Sequence, residues 1–198
     1  MAELNEVQLW GRFKAGDKEA FSKIYTTYFN ILYHYGFHIV HDEGMVKDAI
    51  QNIFVELWKS KDNLSDTDSI KFYLLKVMRR KLYRSIQLEG QYVSYMADLD
   101  DKQTLFSPEL EFITQQTNQQ REVTLQAAIS RLSNRQKEAI TLLYIEGLSY
   151  SEVADLMSLK VRTVYNLIHT ALESLRKQLD HDNFWYVLAL YYLNGKIF

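Results

Sequence analysis

The chain has 198 residues, with 23 basic and 25 acidic side chains, a formal net charge of −2 and 47% apolar residues. That is enough apolar material for one medium or two small domains. The near-neutral charge excludes a chain that grips nucleic acid over its whole surface, so any such binding must come from local basic patches.

Cysteine is absent, which removes disulfide frameworks, thiolate zinc sites and cysteine nucleophiles together and fits a reducing, cytoplasmic setting. One proline and seven glycines argue against β-rich or Pro-rich chains and leave long helices as the natural outcome, so the expected class is all-α. The first residues hold no basic region followed by an apolar run, and no stretch reaches the about 18 apolar residues needed to cross a bilayer. The expectation is therefore a protein neither exported nor held by a membrane span.

In chain order, Leu9, Trp10 and Phe13 mark a short amphipathic helix ending near Gly16. Asp17 then caps a second helix carrying Phe21, Ile24, Tyr25, Tyr28, Phe29, Leu32 and Tyr35 at helical spacing, a stripe read as core rather than as a base-stacking surface. A third helix is expected from about Met45 to Trp58, with Val46, Ala49, Ile50, Ile53, Phe54 and Leu57 on one face and Asp48, Gln51, Asn52 and Glu56 away from its centre. After a polar segment, residues 59–69, a fourth helix runs from Ile70 to about Ile86. Between Lys71 and Gln87 it carries Lys71, Lys76, Arg79, Arg80, Lys81 and Arg84 and no acidic residue. Like charges so crowded repel one another, and a polyanionic partner explains them better than a merely soluble face.

Residues 89–120 lose periodicity and gain polarity, which predicts a linker between a first domain at 1–90 and a second at 121–180. In the second, Ser133 with Gln136 forms a capping box for a helix reaching Tyr144, which Gly147 ends in a left-handed conformation. Ser149 with Glu152 opens another short helix, Tyr150 to Met157, in which Ala154 is small enough for a close crossing. The last helix starts at Val161, with Val164 and Ile168 inward and Arg162, Thr163, Tyr165, Asn166 and His169 outward. Two short helices, a tight turn and a small contact residue are what a helix-turn-helix needs to set its second helix in a major groove; a structural helical hairpin is the bland alternative. The five histidines show no metal-ligand pattern: His34 and His38 share a helix face, but no acidic or cysteine partner completes a site.

At this point the sequence resembles the extracytoplasmic-function (ECF) group of the sigma-70 superfamily. The resemblance rests on Gly16-Asp17, Ala20-Phe21 and Ile24-Tyr25, on the run Asp48 to Trp58, and on Phe72 to Arg80 in the first half. In the second half it rests on Leu132-Ser133, Arg135-Gln136, Gly147 to Tyr150, Glu152 to Ala154 and Thr163-Val164. It implies a sigma factor that directs core RNA polymerase to promoters and helps open them. Asp48, Gln51, Asn52 and Glu56 would then face the polymerase clamp. Lys76, Arg79, Arg80, Lys81 and Arg84 would meet the −10 side of the promoter, and Arg162, Thr163, Tyr165, Asn166 and His169 the −35 side. The loop at 61–69 would receive a base flipped from the non-template strand, stacking and hydrogen bonds there offsetting the cost of unpairing. The implied partners are core polymerase, promoter DNA and an anti-sigma factor; no cofactor or metal is implied.

Departures from the family pattern are Arg80 where asparagine is frequent, Ser158 where glycine is usual, Lys160 where serine usually caps, and Leu167 and Thr170 where arginine is frequent. Fewer phosphate clamps predict weaker unaided DNA binding. Rival readings are a free-standing regulator whose first domain senses a ligand or dimerises, an enzyme, and a purely structural adaptor, which leaves the positive helix unexplained. A sensor has no reason to carry Asp48 to Trp58 followed by the basic helix, and no nucleophile with a base, phosphate loop or carboxylate pair supports an enzyme. The apolar tail, 181–198, reads either as a helix completing the second core or as a segment docking on the recognition helix around Leu167.

Overall fold

The structure, a computed structural model, describes residues 5–88 and 128–178, which fall into two compact units. The expected linker, 91–120, and the apolar tail, 181–198, lie outside the described residues, and so do the two readings of that tail. Every element of the described residues is helical.

In the first unit α1 spans Glu6–Lys14, α2 Lys18–Val40, α3 Glu43–Ser60 and α4 Ile70–Leu88, with a 3-10 turn at Lys61–Asn63. The starts follow from local chemistry. Asn5 Oδ1 accepts from the Gln8 amide, Asp17 Oδ1 from the amides of Glu19 and Ala20, and Asp42 Oδ1 from that of Met45, each satisfying an otherwise orphaned first-turn N–H. Helix α2 ends at His41, whose φ of 51° is left-handed. The helices bury one stripe each: Trp10 and Phe13 from α1, Ile24, Leu32 and Tyr35 from α2, Val46, Ile50 and Ile53 from α3, and Ile70, Leu74, Met78 and Leu82 from α4. A Cβ added at Gly36 would meet the end of the Met78 side chain and come within 3.1 Å of Val46 Cγ1, so α2 packs close to α3 and α4 at this position.

The aromatic stripe of α2 is only partly core. Tyr28 and Tyr35 are buried, but Tyr25 is 40% exposed, and Phe21 and Phe29 are half-buried. Together with Phe54 and Trp58 they line an open groove between α2 and α3. The expectation that all of them sit in the core is corrected by this geometry: a helix of 23 residues presents more aromatic surface than its neighbours α1, α3 and α4 cover.

In the second unit α5 spans Asn134–Ile140 and passes into a π turn at Thr141–Ile145; α6 spans Tyr150–Met157 and α7 Val161–Gln178. Both expected capping boxes are present, Ser133 with Gln136 and Ser149 with Glu152. Gly147 takes the expected left-handed conformation, φ 65°. The helix before it differs from a plain α-helix to Tyr144, because the Leu148 amide reaches back to the carbonyl of Leu142 at 3.0 Å and the Glu146 amide to that of Thr141 at 2.9 Å. The closing bonds are thus one residue wider than in an ordinary glycine-ended helix. Val153, Ala154, Leu156 and Met157 of α6 pack with Val164, Ile168, Ala171 and Leu175 of α7.

Candidate functional site

On α3 the buried stripe leaves Asp48, Gln51, Asn52 and Glu56 exposed on the outer side, beside exposed Lys47 and Val55. Gln51 and Val55 also line the aromatic groove, so the polar face and the groove form one continuous surface of α2 and α3. Lys47 is held by an ion pair to Glu43 one turn earlier.

On α4 the buried positions Leu74, Leu75, Met78, Leu82 and Ile86 turn the cationic residues outward, but not equally. Lys76, Arg80 and Arg84 are exposed, whereas Lys71, Arg79 and Lys81 are half-buried. The Arg79 guanidinium lies 4.2 Å from the centre of the Tyr83 ring, and Lys76 Nζ lies 5.8 Å from that of Phe72, arrangements in which a ring face offers the cation partial compensation. Lys81 Nζ is 2.7 Å from Glu56 Oε1. Two residues that the sequence assigns to different surfaces, Glu56 of α3 and Lys81 of α4, therefore pair with each other at the seam between them. The polar face of α3 and the cationic face of α4 are adjacent, joined along that seam. No acidic residue occupies the first turn of α4.

The segment between α3 and α4 is held from below by α1. Trp10 Nε1 donates to the carbonyl of Ser65 at 3.0 Å, Lys14 Nζ meets Asp66 Oδ1 at 2.6 Å, and Glu6 Oε2 accepts from the Ile70 amide at 2.6 Å. Asn63, Ser65, Asp66 and Asp68 remain exposed. Nothing in the pattern of residues 1–16 announces these ties, because they join positions more than fifty apart in the chain.

In the second unit α6 and α7 meet through a left-handed Ser158, φ 56°, whose amide closes α6 on the Asp155 carbonyl at 3.1 Å. Arg162, Thr163, Tyr165, Asn166 and His169 are all exposed on α7. Tyr165, 51% exposed, stacks on Tyr150 of α6 with ring centres 4.0 Å apart and planes 10° from parallel. This pair sets α7 against α6 on the outer side, as Ala154 does within. Thr170 donates to the carbonyl of Asn166, and Gln136 of α5 donates to Thr170 in turn. Leu167 is half-buried; the large apolar residues that α7 exposes most are Val161 and Tyr165. Among the described residues no group of three or more His, Asp or Glu could hold a metal ion, and no helix is long and apolar enough to cross a membrane.

Residues 24–90 match the family model for Sigma-70 region 2, and residues 122–175 that for Sigma-70, region 4. Together they take in more than half the chain. The chain is 27% identical to the ECF RNA polymerase sigma factor SigX of Bacillus subtilis (strain 168), over 82% of this chain and 85% of that protein. It is also 27% identical to the ECF RNA polymerase sigma factor SigK of Mycobacterium tuberculosis (strain ATCC 25618 / H37Rv), over 85% of this chain and 90% of that one. The chain belongs to the ECF group of sigma-70 factors. The fold agrees with solved sigma factors. With RpoE from Bartonella quintana, solved in complex with the anti-sigma factor NepR, it shares a TM-score of 0.59 at 19% identity, covering 83% of this chain and 99% of that one. With CnrH, solved in complex with the cytosolic domain of CnrY, the TM-score is 0.58 at 20% identity, covering 88% and 96%.

As an ECF sigma factor the protein is a promoter-specific transcription initiation factor. Two of its departures from the family pattern have visible structural consequences. Ser158 adopts the left-handed turn that glycine usually supplies, and the threonine at 170 turns its hydroxyl to the backbone of its own helix where an arginine would reach outward.

Proposed function

We propose that this sigma factor engages core RNA polymerase through the outer face of α3 and reads promoter DNA with two separate surfaces. Residues 1–90 act as the region 2-like domain: Asp48, Gln51 and Asn52 meet the polymerase clamp, with Glu56 at the edge of that surface. Lys76, Arg80 and Arg84 contact the −10 side, with Arg79 and Lys81 contributing mainly to the shape and field of α4. Residues 121–180 act as the region 4-like domain, in which Arg162, Thr163, Tyr165, Asn166 and His169 face the −35 side, and 91–120 serves as linker. The observation that carries the reading is the juxtaposition on one small unit of an exposed polar face on α3 and an exposed, acid-free cationic face on α4. A solitary DNA-binding regulator needs the second face and has no use for the first.

The protein works by binding, without chemistry of its own, in the cytoplasm where polymerase resides. An anti-sigma factor is its proposed negative regulator, by analogy with the RpoE structure, which was solved with the anti-sigma factor NepR. Run-off transcription with purified core polymerase and a random promoter library tests the reading. Discrete transcripts should depend on the added protein; transcripts no different from those of core polymerase alone would overturn it.

A further inference from the structure

The first helix lies before the region 2 match, which begins at residue 24, yet three of its side chains reach the segment between α3 and α4. Glu6, Trp10 and Lys14 are spaced four apart and so share one face of α1. Glu6 uses both carboxylate oxygens: Oε1 accepts from the Tyr28 hydroxyl at 2.9 Å and Oε2 from the Ile70 amide at 2.6 Å, tying the start of α4 to α2. Burial and this contact hold the Tyr28 phenol well above its ordinary pKa, so it stays a donor at any physiological pH. The Trp10 ring is 1% exposed, packed 5.2 Å from Phe13 and 5.2 Å from Tyr73, while its N–H leaves that apolar contact to bond the Ser65 carbonyl. Lys14 adds its pair with Asp66, whose side chain is 90% exposed, and such a pair contributes little by itself.

We propose that Glu6 and Trp10, with a minor part from Lys14, are positioning residues for promoter opening, holding residues 63–70 in the shape in which their exposed side chains receive an unpaired base. The inference rests on the reading that this segment is the base-receiving loop. A buried indole N–H needs an acceptor and a helix start favours a carboxylate at its free amides, but neither need requires that both groups come from α1, 55 and 64 residues away in the chain. Both polar groups act on the backbone of the segment, leaving Asn63, Ser65 and Asp68 facing outward. A loop ordered during folding does not have to be ordered again when DNA arrives, which favours capture of a base whose unpairing is already costly.

The test uses the full chain with core polymerase, on a template selected from a random promoter library with the unaltered protein. Trp10→Phe retains an aromatic ring against Phe13 and Tyr73 and removes the N–H. Opening followed by permanganate reactivity should slow by roughly five- to tenfold, the size expected for one lost hydrogen bond, while retention on core polymerase and binding to −35 duplex stay unchanged. Glu6→Gln, which leaves an acceptor and removes the charge, should slow it less. A merely structural role would lower polymerase retention and opening together in both variants, and that outcome overturns the proposal. Asn63→Ala with Asp68→Ala, on the loop's outer side and away from the α1 ties, separates the two readings. If this pair slows opening and Trp10→Phe does not, the positioning role falls and the loop assignment stands. If the pair leaves opening unchanged, the loop assignment fails and the positioning role with it.

Discussion

Ser158 occupies the turn between α6 and α7 with φ 56°, a left-handed conformation in which its Cβ crowds the neighbouring backbone, costing about 1 to 2 kcal/mol for a residue other than glycine. Glycine is freer in the unfolded chain, which takes back part of the gain. Ser158→Gly should therefore stabilise the second unit by roughly 0.5–1 kcal/mol, read as slower amide exchange along α6 and α7; faster exchange would show that the serine makes a compensating contact. Asp17 makes a different case. The amide of Ala20 holds its carboxyl below the ordinary value of 3.8, helped by the Arg12 guanidinium and the amide of Glu19. Because the folded pKa is the lower one, this stabilisation is complete above the unfolded value and is lost as pH falls through the folded value. Asp17→Asn, which keeps a cap but cannot titrate, should narrow the gap between urea midpoints at pH 3 and pH 6. An unchanged gap would mean that other carboxylates control acid unfolding.

At the scale of elements, α3 and α4 owe their exposed polar and cationic faces to the residues they bury. Once Val46, Ile50, Ile53 and Leu57 face inward, the 3.6-residue period leaves Asp48, Gln51 and Asn52 no direction but outward. Charge reversal there should weaken polymerase binding without disturbing the core. Asp48→Arg with Gln51→Ala is expected to reduce co-purification with core polymerase several-fold while leaving the helical circular dichroism and thermal midpoint intact. Full retention of this double variant in a pull-down would remove α3 from the interface. The pairing of Lys81 with Glu56 makes the same scale instructive in another way. Charge counting along α4 treats its six cations as equivalent, and the neighbouring helix makes them unequal.

For the whole molecule, the proposed reading gives the two units two separable duties. Arg80→Ala with Arg84→Ala should impair opening on the −10 side, whereas Arg162→Ala or Asn166→Ala should impair recognition on the −35 side. A residue contacting a base edge should cost about 1 to 3 kcal/mol and relax preference at its own position, and a phosphate contact should weaken all sequences alike. Permanganate footprinting and binding to −35 variants would reveal whether the defects separate, and identical phenotypes would end the division of labour.

The sequence by itself determined the helical class, the starts at Asp17, Ser133 and Ser149, the left-handed Gly147 and the outward faces of α3, α4 and α7. All of these depend on contacts within about one turn of helix or on a single period, which a linear pattern records directly. Only the tertiary structure decided that Tyr25 lines an open groove and that Gly36 sits against Met78 and Val46. It alone showed Glu56 neutralising Lys81, Tyr165 resting on Tyr150, and α1 holding the segment before α4. Each of these depends on which side chain from a distant part of the chain arrives at the same place, and that is a property of packing in three dimensions, on which the local periodicity of the sequence is silent.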